Sequence, residues 1–394
     1  MNTNKWQTWR EANPVPAGKS QNNYRTGLIL IIIFSFLKVM PAQQLSEPEI
    51  AGTFGGIFNS IRQIDIPDDQ PARTQFDFAG NLDFNWEVSS RLSANIQFQM
   101  GPGEGTVGMV DGLEMADLFL QYSAAKNVNL LLGSFDTPFG ASVPYLSNNA
   151  DLSQNPLILN DLFYSVFSGS AVGTLNTLGL GGELNSHWGS INAAVSNGTA
   201  ETALNADGAF EITVSGLSAP VGNLLQAGAS FIYSPDSSRR GASGFGVDFS
   251  GWMVDGFLGK VPERYFHIYY GHLVYDDHNS ATKDGVRIWS AESRIKAGDL
   301  YLSGRVSGWE PGDHDGSAEG FSSALMNPGF GEFPHELNVA DQRVLRFQIG
   351  SGWNFSEKML GKLEFFYDNY QYTINSRNYD AFGGILALVV QLGE

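Results

Sequence analysis

The chain has 394 residues, no cysteine, and 41 acidic against 23 basic side chains, a formal net charge of −18. Without cysteine there is no disulfide, thiolate metal site or cysteine nucleophile. So large a negative charge excludes nucleic acid as a partner, because two polyanions repel.

Five of the six charged residues in the first 42 are basic, namely Lys5, Arg10, Lys19, Arg25 and Lys38, and Glu11 is the acidic one. Within this lead, Gly27 to Leu37 reads GLILIIIFSFL without a charge. Eleven residues fall short of the roughly 20 that a helix needs to cross a bilayer, but they suit the core of a signal peptide. Pro41-Ala42 then supplies a small residue for cleavage. Residues 1–42 are therefore expected to be a cleaved signal peptide, leaving 43–394 as the mature domain. The other reading, a short buried helix, is disfavoured because Lys38 and Pro41 end the run abruptly and nothing amphipathic follows. Cleavage removes five basic groups and one acidic group, leaving 18 against 40 and a net charge of −22. No later apolar run approaches the length of a spanning helix, so any membrane crossing must be made by strands.

From Phe76 to Met100 the even positions, Ser90 excepted, are apolar or glycine, and nearly all the odd ones are polar. Side chains of a strand alternate between its two faces, so this period of two predicts two long strands joined by a turn at Ser89-Ser90, apolar on one face and polar on the other. A tilted strand crosses a bilayer in about 9 to 11 residues.

Further strands are expected at Gly52 to Ile66, Leu113 to Ala124, Asn127 to Thr137, Thr177 to Ser186, Trp188 to Ser196 and Phe210 to Leu217. They continue at Asn223 to Ser234, Phe245 to Gly259, Arg264 to Asp276, Val286 to Lys296, Asp299 to Trp309, Gln342 to Phe355, Lys362 to Gln371 and Ala381 to Leu392. With the first hairpin the total is sixteen. The connections between them alternate between short turns and long polar loops, so all the long loops fall at one end. A transmembrane antiparallel β-barrel with short periplasmic turns and long extracellular loops has this organisation. Leu345, Phe347, Ile349, Trp353 and Phe355 would face lipid, and Arg346, Gln348 and Asn354 the lumen; Leu363, Phe365 and Tyr367 would oppose Glu364 and Asp368 in the same way. Trp86 and Trp353, close to short turns on the apolar face, suit an interfacial aromatic girdle.

Gly133-Ser134-Phe135-Asp136-Thr137-Pro138-Phe139-Gly140, at the end of a predicted strand, resembles the G-x-F-x-T-P-F-G segment of the phosphate-selective porin superfamily and of the general porins related to it. The resemblance implies a porin barrel. Its physical content is a strand stop, since Pro138 cannot donate to a ladder and Gly140 permits a sharp reversal. Phosphate selectivity implies a pore lined by arginine and lysine. Here the inferred lumen positions include Asp77, Asp83, Glu87, Glu364 and Asp368 beside Arg346 and Gln348, so cations are expected instead.

The longest connection, Pro138 to Asn176, carries Asp151 and Asp161 among apolar residues such as Leu157 and Phe163. It either folds inward and narrows the lumen, with those two carboxylates at the constriction, or stays outside. Asp313, Asp315 and Glu319 have calcium-like spacing. The full motif is broken by Ser317, which favours a solvated acidic loop, and no metal or cofactor is expected. No nucleophile-elbow, zinc-protease or P-loop motif occurs. His267 and His272, five apart on one strand, belong on opposite faces. The sequence thus describes a porin passing small hydrophilic solutes or ions through outer-membrane lipid, and a homotrimer is compatible with it. The alternatives are a plugged structural or surface-binding barrel and, third, a barrel hydrolase.

Overall fold

The computed structural model describes residues 48–64, 72–100, 114–136, 139–140, 156–158, 176–196, 210–222, 224–237, 247–260, 263–277, 282–314, 342–372 and 378–393. The expected signal peptide lies outside them. Sixteen strands occupy nearly all of these described residues: β1 Glu49–Ile64, β2 Ala72–Ser89, β3 Leu92–Met100, β4 Glu114–Ala125, β5 Val128–Asp136, β6 Asn176–Ser186, β7 Gly189–Ser196 and β8 Glu211–Ser218. They are followed by β9 Leu225–Ser237, β10 Val247–Lys260, β11 Arg264–Asp277, β12 Thr282–Ala297, β13 Leu300–His314, β14 Gln342–Ser356, β15 Met359–Tyr372 and β16 Asn378–Leu392. No helix occurs among the described residues.

Each strand pairs antiparallel with its neighbours in sequence, and β16 pairs with β1 from Gly52↔Leu392 to Ile64↔Asp380, closing the barrel. Closure removes the free edges that would otherwise leave backbone groups unpaired in lipid.

The two faces follow the predicted alternation. Along β14, Phe347, Ile349 and Trp353 are exposed on the outside while Arg346 and Gln348 are buried inside. Register carries the pattern across strands, with Phe347 beside Tyr367 and Val306, and Arg346 beside Asp368. The outer wall is largely apolar, with Trp353 stacked on Phe355 at a centroid distance of 5.5 Å near the short-turn end. Trp86 stacks on Phe84 on the same outward parity, 6.1 Å between centroids. His267 and His272 part as expected. His267 is buried inside against the ring of Phe257, 4.1 Å away, and His272 lies outside near Trp252.

The interior is not uniformly polar. Ile57, Tyr301, Leu360, Phe366, Ile385, Ala387 and Val389 form a buried cluster inside the wall of β1 and β13 to β16. Leu360 is the second residue after the turn at 357–358, so this cluster reaches toward the short-turn end.

Candidate functional site: the barrel interior

Two unlike walls make up the interior. On β11 to β15 the inward side chains form a ladder of charges held at adjacent register positions. The Tyr265 hydroxyl donates to Glu292 Oε1 at 2.5 Å, and Arg305 Nε donates to Glu292 Oε2 at 2.7 Å. Arg305 Nη1 reaches Gln348 Oε1 at 3.5 Å, and Gln348 Nε2 donates to Glu364 Oε1 at 2.9 Å. Beside this chain, Arg346 grips Asp368 through Nε and Nη2, both at 2.8 Å. The Arg294 guanidinium lies 4.0 Å from the centre of the Tyr301 ring. Planar guanidinium and carboxylate match in two parallel hydrogen bonds, which makes such pairs strong and directional.

On β2 to β8 the polar inward side chains are amides, hydroxyls and carboxylates, set among apolar ones such as Leu131, Phe135 and Ala194. Asn81 Nδ2 and Gln97 Nε2 donate to the two oxygens of Asp83 at 2.9 and 2.6 Å. Asn95 Nδ2 donates to Asn85 Oδ1 at 2.6 Å. Ser123 Oγ donates to Asn129 Oδ1, and Asn129 Nδ2 to Glu183 Oε2, each at 3.0 Å. These amide donors orient the carboxylates that they hold. Between Arg91 and Arg239 the sequence has one basic residue, Lys126, against twelve aspartates and glutamates. Lys126 sits in a turn.

The loop after β5 enters the interior at the positions that are described. Gly140, with φ of 74°, donates its N–H to Ser230 Oγ on β9 at 3.0 Å. That left-handed conformation provides the reversal expected there, and glycine adopts it without penalty. Leu157 and Ile158 are each 2% exposed, and Ile158 belongs to the apolar cluster on β1 and β13 to β16. The Ile158 N–H donates to Glu364 Oε2. Leu157 rests on Gly350 of β14, where an added Cβ would come within 2.8 Å of Leu157 Cδ2. Of the two alternatives left open by the sequence, these residues take the inward one; Asp151 and Asp161 lie outside the described residues.

The expected lumen residues divide accordingly. Asp83 is partly exposed and Glu87 exposed on the amide-rich wall. Asp77 lies in β2 opposite Ile57, outside the residues whose side chains are described. Arg346, Gln348, Glu364 and Asp368 do face inward, but all are at most 4% exposed. They belong to a packed wall and not to its water-facing surface, because each carboxylate has found a partner on the next strand. Sequence reading missed Glu292, Arg305 and Tyr265, and also Asn129 with Glu183. Their signal was there, since Glu292 and Arg305 are polar residues at inward parity on strands joined by a short turn. Asp315 and Glu319 of the acidic loop lie outside the described residues, and among those described no group of three or more potential ligands is arranged to hold a metal ion.

Comparison with known proteins yields no matching family model and no matching curated protein. Solved structures do match. The outer-membrane channel DcaP of Acinetobacter baumannii aligns at 14% identity and a TM-score of 0.58, over 88% of this chain and 97% of that one. The anion-selective porin from Comamonas acidovorans aligns at 8% identity and a TM-score of 0.59, over 89% and 100%. OmpT, an outer-membrane protein of Vibrio cholerae, aligns at 12% identity and a TM-score of 0.54, over 90% and 99%. At such identities the likeness is one of fold: this chain has the closed, sixteen-stranded antiparallel barrel of outer-membrane channels and porins.

Proposed function

We propose that the protein is an outer-membrane porin, a passive and cation-preferring channel for small hydrophilic solutes and ions. It performs no chemistry and needs no cofactor or metal. Residues 1–42 are its cleaved signal peptide, 43–394 its single barrel domain, and a homotrimer in outer-membrane lipid its assembly. The phosphate-type selectivity suggested by the Gly133 to Gly140 segment is not part of this reading.

The observation that carries it is the contrast between the two inner walls. Ions feel the net field of the lining, and paired charges contribute little to it. On β12 to β15, Arg305 with Glu292 and Arg346 with Asp368 cancel locally. On β2 to β8, Asp83 and Glu183 are held by amides, and Glu87 is exposed on the same wall. The passage therefore runs along β2 to β8 with the carboxylates as its cation-attracting side. We assign Asp151 and Asp161, on the long loop after β5, to the constriction, where their charge adds to it.

A second reading, a plugged structural or surface-binding barrel, draws support from the depth at which Ile158 is seated. Planar-bilayer recording separates the two. Discrete, ohmic single-channel steps with a cation-selective reversal potential support the porin; a correctly folded barrel that gives no conductance supports the plug.

A further inference from the structure

The outer wall changes character between two neighbouring rows near the long-loop end of β10 to β14. The first row crosses the outside as Val254, Tyr270, Trp289, Gly308 and Leu345. Tyr270 lies 5.8 Å from Trp252 between ring centroids, and the Trp289 indole lies over Gly308, in the space that a side chain there would fill. Such rings favour the boundary between acyl chains and headgroups, being apolar in body with one polar tip. The height agrees with that placement. On β14 the outward apolar row runs from Leu345 to Phe355, ten steps of about 3.4 Å, or roughly 24 Å at a 45° tilt, against an apolar band of about 25 Å on membrane barrels.

The next row toward the long loops is charged. On adjoining strands it holds His272 of β11, Arg287 of β12, Glu310 of β13 and Arg343 of β14. Arg287 and Arg343 are exposed. Arg343 Nε reaches Glu310 Oε1 only at 3.8 Å, and no described residue forms an ion pair with Arg287. Two guanidinium groups thus flank one carboxylate, a local excess of positive charge on a chain with 41 acidic and 23 basic residues. Other carboxylates of outward parity leave that excess in place. Asp248 and Asp276 stand four residues farther along β10 and β11 than Trp252 and His272. Asp380 of β16 is engaged by the Tyr367 hydroxyl at 2.8 Å and by Asn369 Nδ2 at 2.6 Å.

We infer that Arg287 and Arg343 form a binding site on the outer wall for the headgroup phosphate of an outer-leaflet lipid. A guanidinium fork matches two phosphate oxygens, and a basic site at the headgroup level meets the phosphate where the lipid already carries it. Glu310, standing between, turns the Arg343 guanidinium toward Arg287. A phosphate held by the pair lays its acyl chains over Trp289, Leu345 and Phe347, contacts that a free anion lacks. The inference rests on the membrane reading above, with the long loops outside.

Native mass spectrometry of the detergent-solubilised barrel tests this, with diphosphorylated lipid A and the same lipid stripped of its phosphates as probes and inorganic phosphate as competitor. The native protein is expected to retain lipid A. Retention should fall several-fold when Arg287→Gln and Arg343→Gln are combined, and stay unchanged in Lys260→Gln, whose ammonium lies at the short-turn end beside Glu263. The dephosphorylated lipid should be retained several-fold less, and an equal concentration of inorganic phosphate should not displace lipid A. Equal retention by the native protein and the double variant, or of the two lipids, would overturn the site. Displacement by inorganic phosphate would overturn the lipid as its ligand in favour of the free anion. Should the double variant not fold, Arg287→Gln alone decides by the same comparison. A barrel that gives no conductance yet holds lipid A through these arginines refutes the channel and supports the site, while a protein soluble without detergent overturns both.

Discussion

Arg346 and Asp368 meet directly across the β14–β15 ladder, two hydrogen bonds of 2.8 Å joining side chains that are 1% and 0% exposed. A charge left alone in such a place has neither water nor partner. Removing one member by Asp368→Ala or Arg346→Ala is therefore expected to cost about 3–5 kcal/mol, while replacing both by Leu and Met costs much less. Equilibrium unfolding of the detergent-solubilised barrel in urea, followed by tryptophan fluorescence, measures this. Single and double variants of equal stability would show that the pair is not isolated from water.

Selectivity should follow the amide-held carboxylates and ignore the paired ones. In a potassium chloride gradient, Asp83→Asn combined with Glu183→Gln is expected to move the reversal potential toward zero. Replacing Arg346 by Met and Asp368 by Leu together should leave it in place, because the pair carries no net charge. Screening acts over about 8 Å at physiological ionic strength, so the preference should weaken as salt rises. Anion preference in the native protein would defeat the electrostatic argument and return the phosphate-type reading.

The seat of the inward loop depends on a missing Cβ. Gly350→Val would drive a side chain into Leu157, and backbone atoms of β15 close by leave the new group little room to yield. The loop should lose its footing, giving a larger and noisier single-channel conductance with barrel stability reduced only modestly. Asp151→Asn with Asp161→Asn probes the charge of the same loop: an unchanged reversal potential would remove these two carboxylates from the constriction.

Arginine placed on the two faces should behave differently. Ile349→Arg, outward near mid-strand, is expected to destabilise the barrel by about 2–4 kcal/mol. Gln97→Arg, on the polar wall, should fold with a smaller loss and shift the channel toward anions. Folding yield into vesicles at graded urea and the sign of the reversal potential report the two effects.

All sixteen strands could be read from the sequence, because a period of two needs no knowledge of neighbours. The expected limits differ from those observed chiefly at the long-loop end. There β12 begins at Thr282, not Val286, and β13 runs to His314, not Trp309, because ladder hydrogen bonding continues past the point where apolar alternation stops. The interior pairings were beyond a single-sequence reading, and the β14–β15 hairpin shows why. Ser356 pairs with Met359 at the turn, and that register, continued unchanged, would set Arg346 against Asn369. A shift of one residue between Asn354 and Ser356 brings it against Asp368 instead. The same device follows the turns of β2–β3 and β4–β5, and in each case it reconciles a two-residue turn with polar sets of equal parity. The seat of Leu157 on Gly350 was hidden for a different reason: a glycine read along one strand shows no sign of what will lie on it.

Ile158 and Glu364 are 206 positions apart in sequence, and the cluster that receives Ile158 includes Val389, near the last residues of the barrel. Contacts between such distant segments form late, since the intervening chain must first be ordered. The floor on which the loop rests does not exist until β14, β15 and β16 are in place and β16 has met β1. A barrel still open at that seam thus has no finished pore to narrow, and seating of the loop marks the completion of assembly.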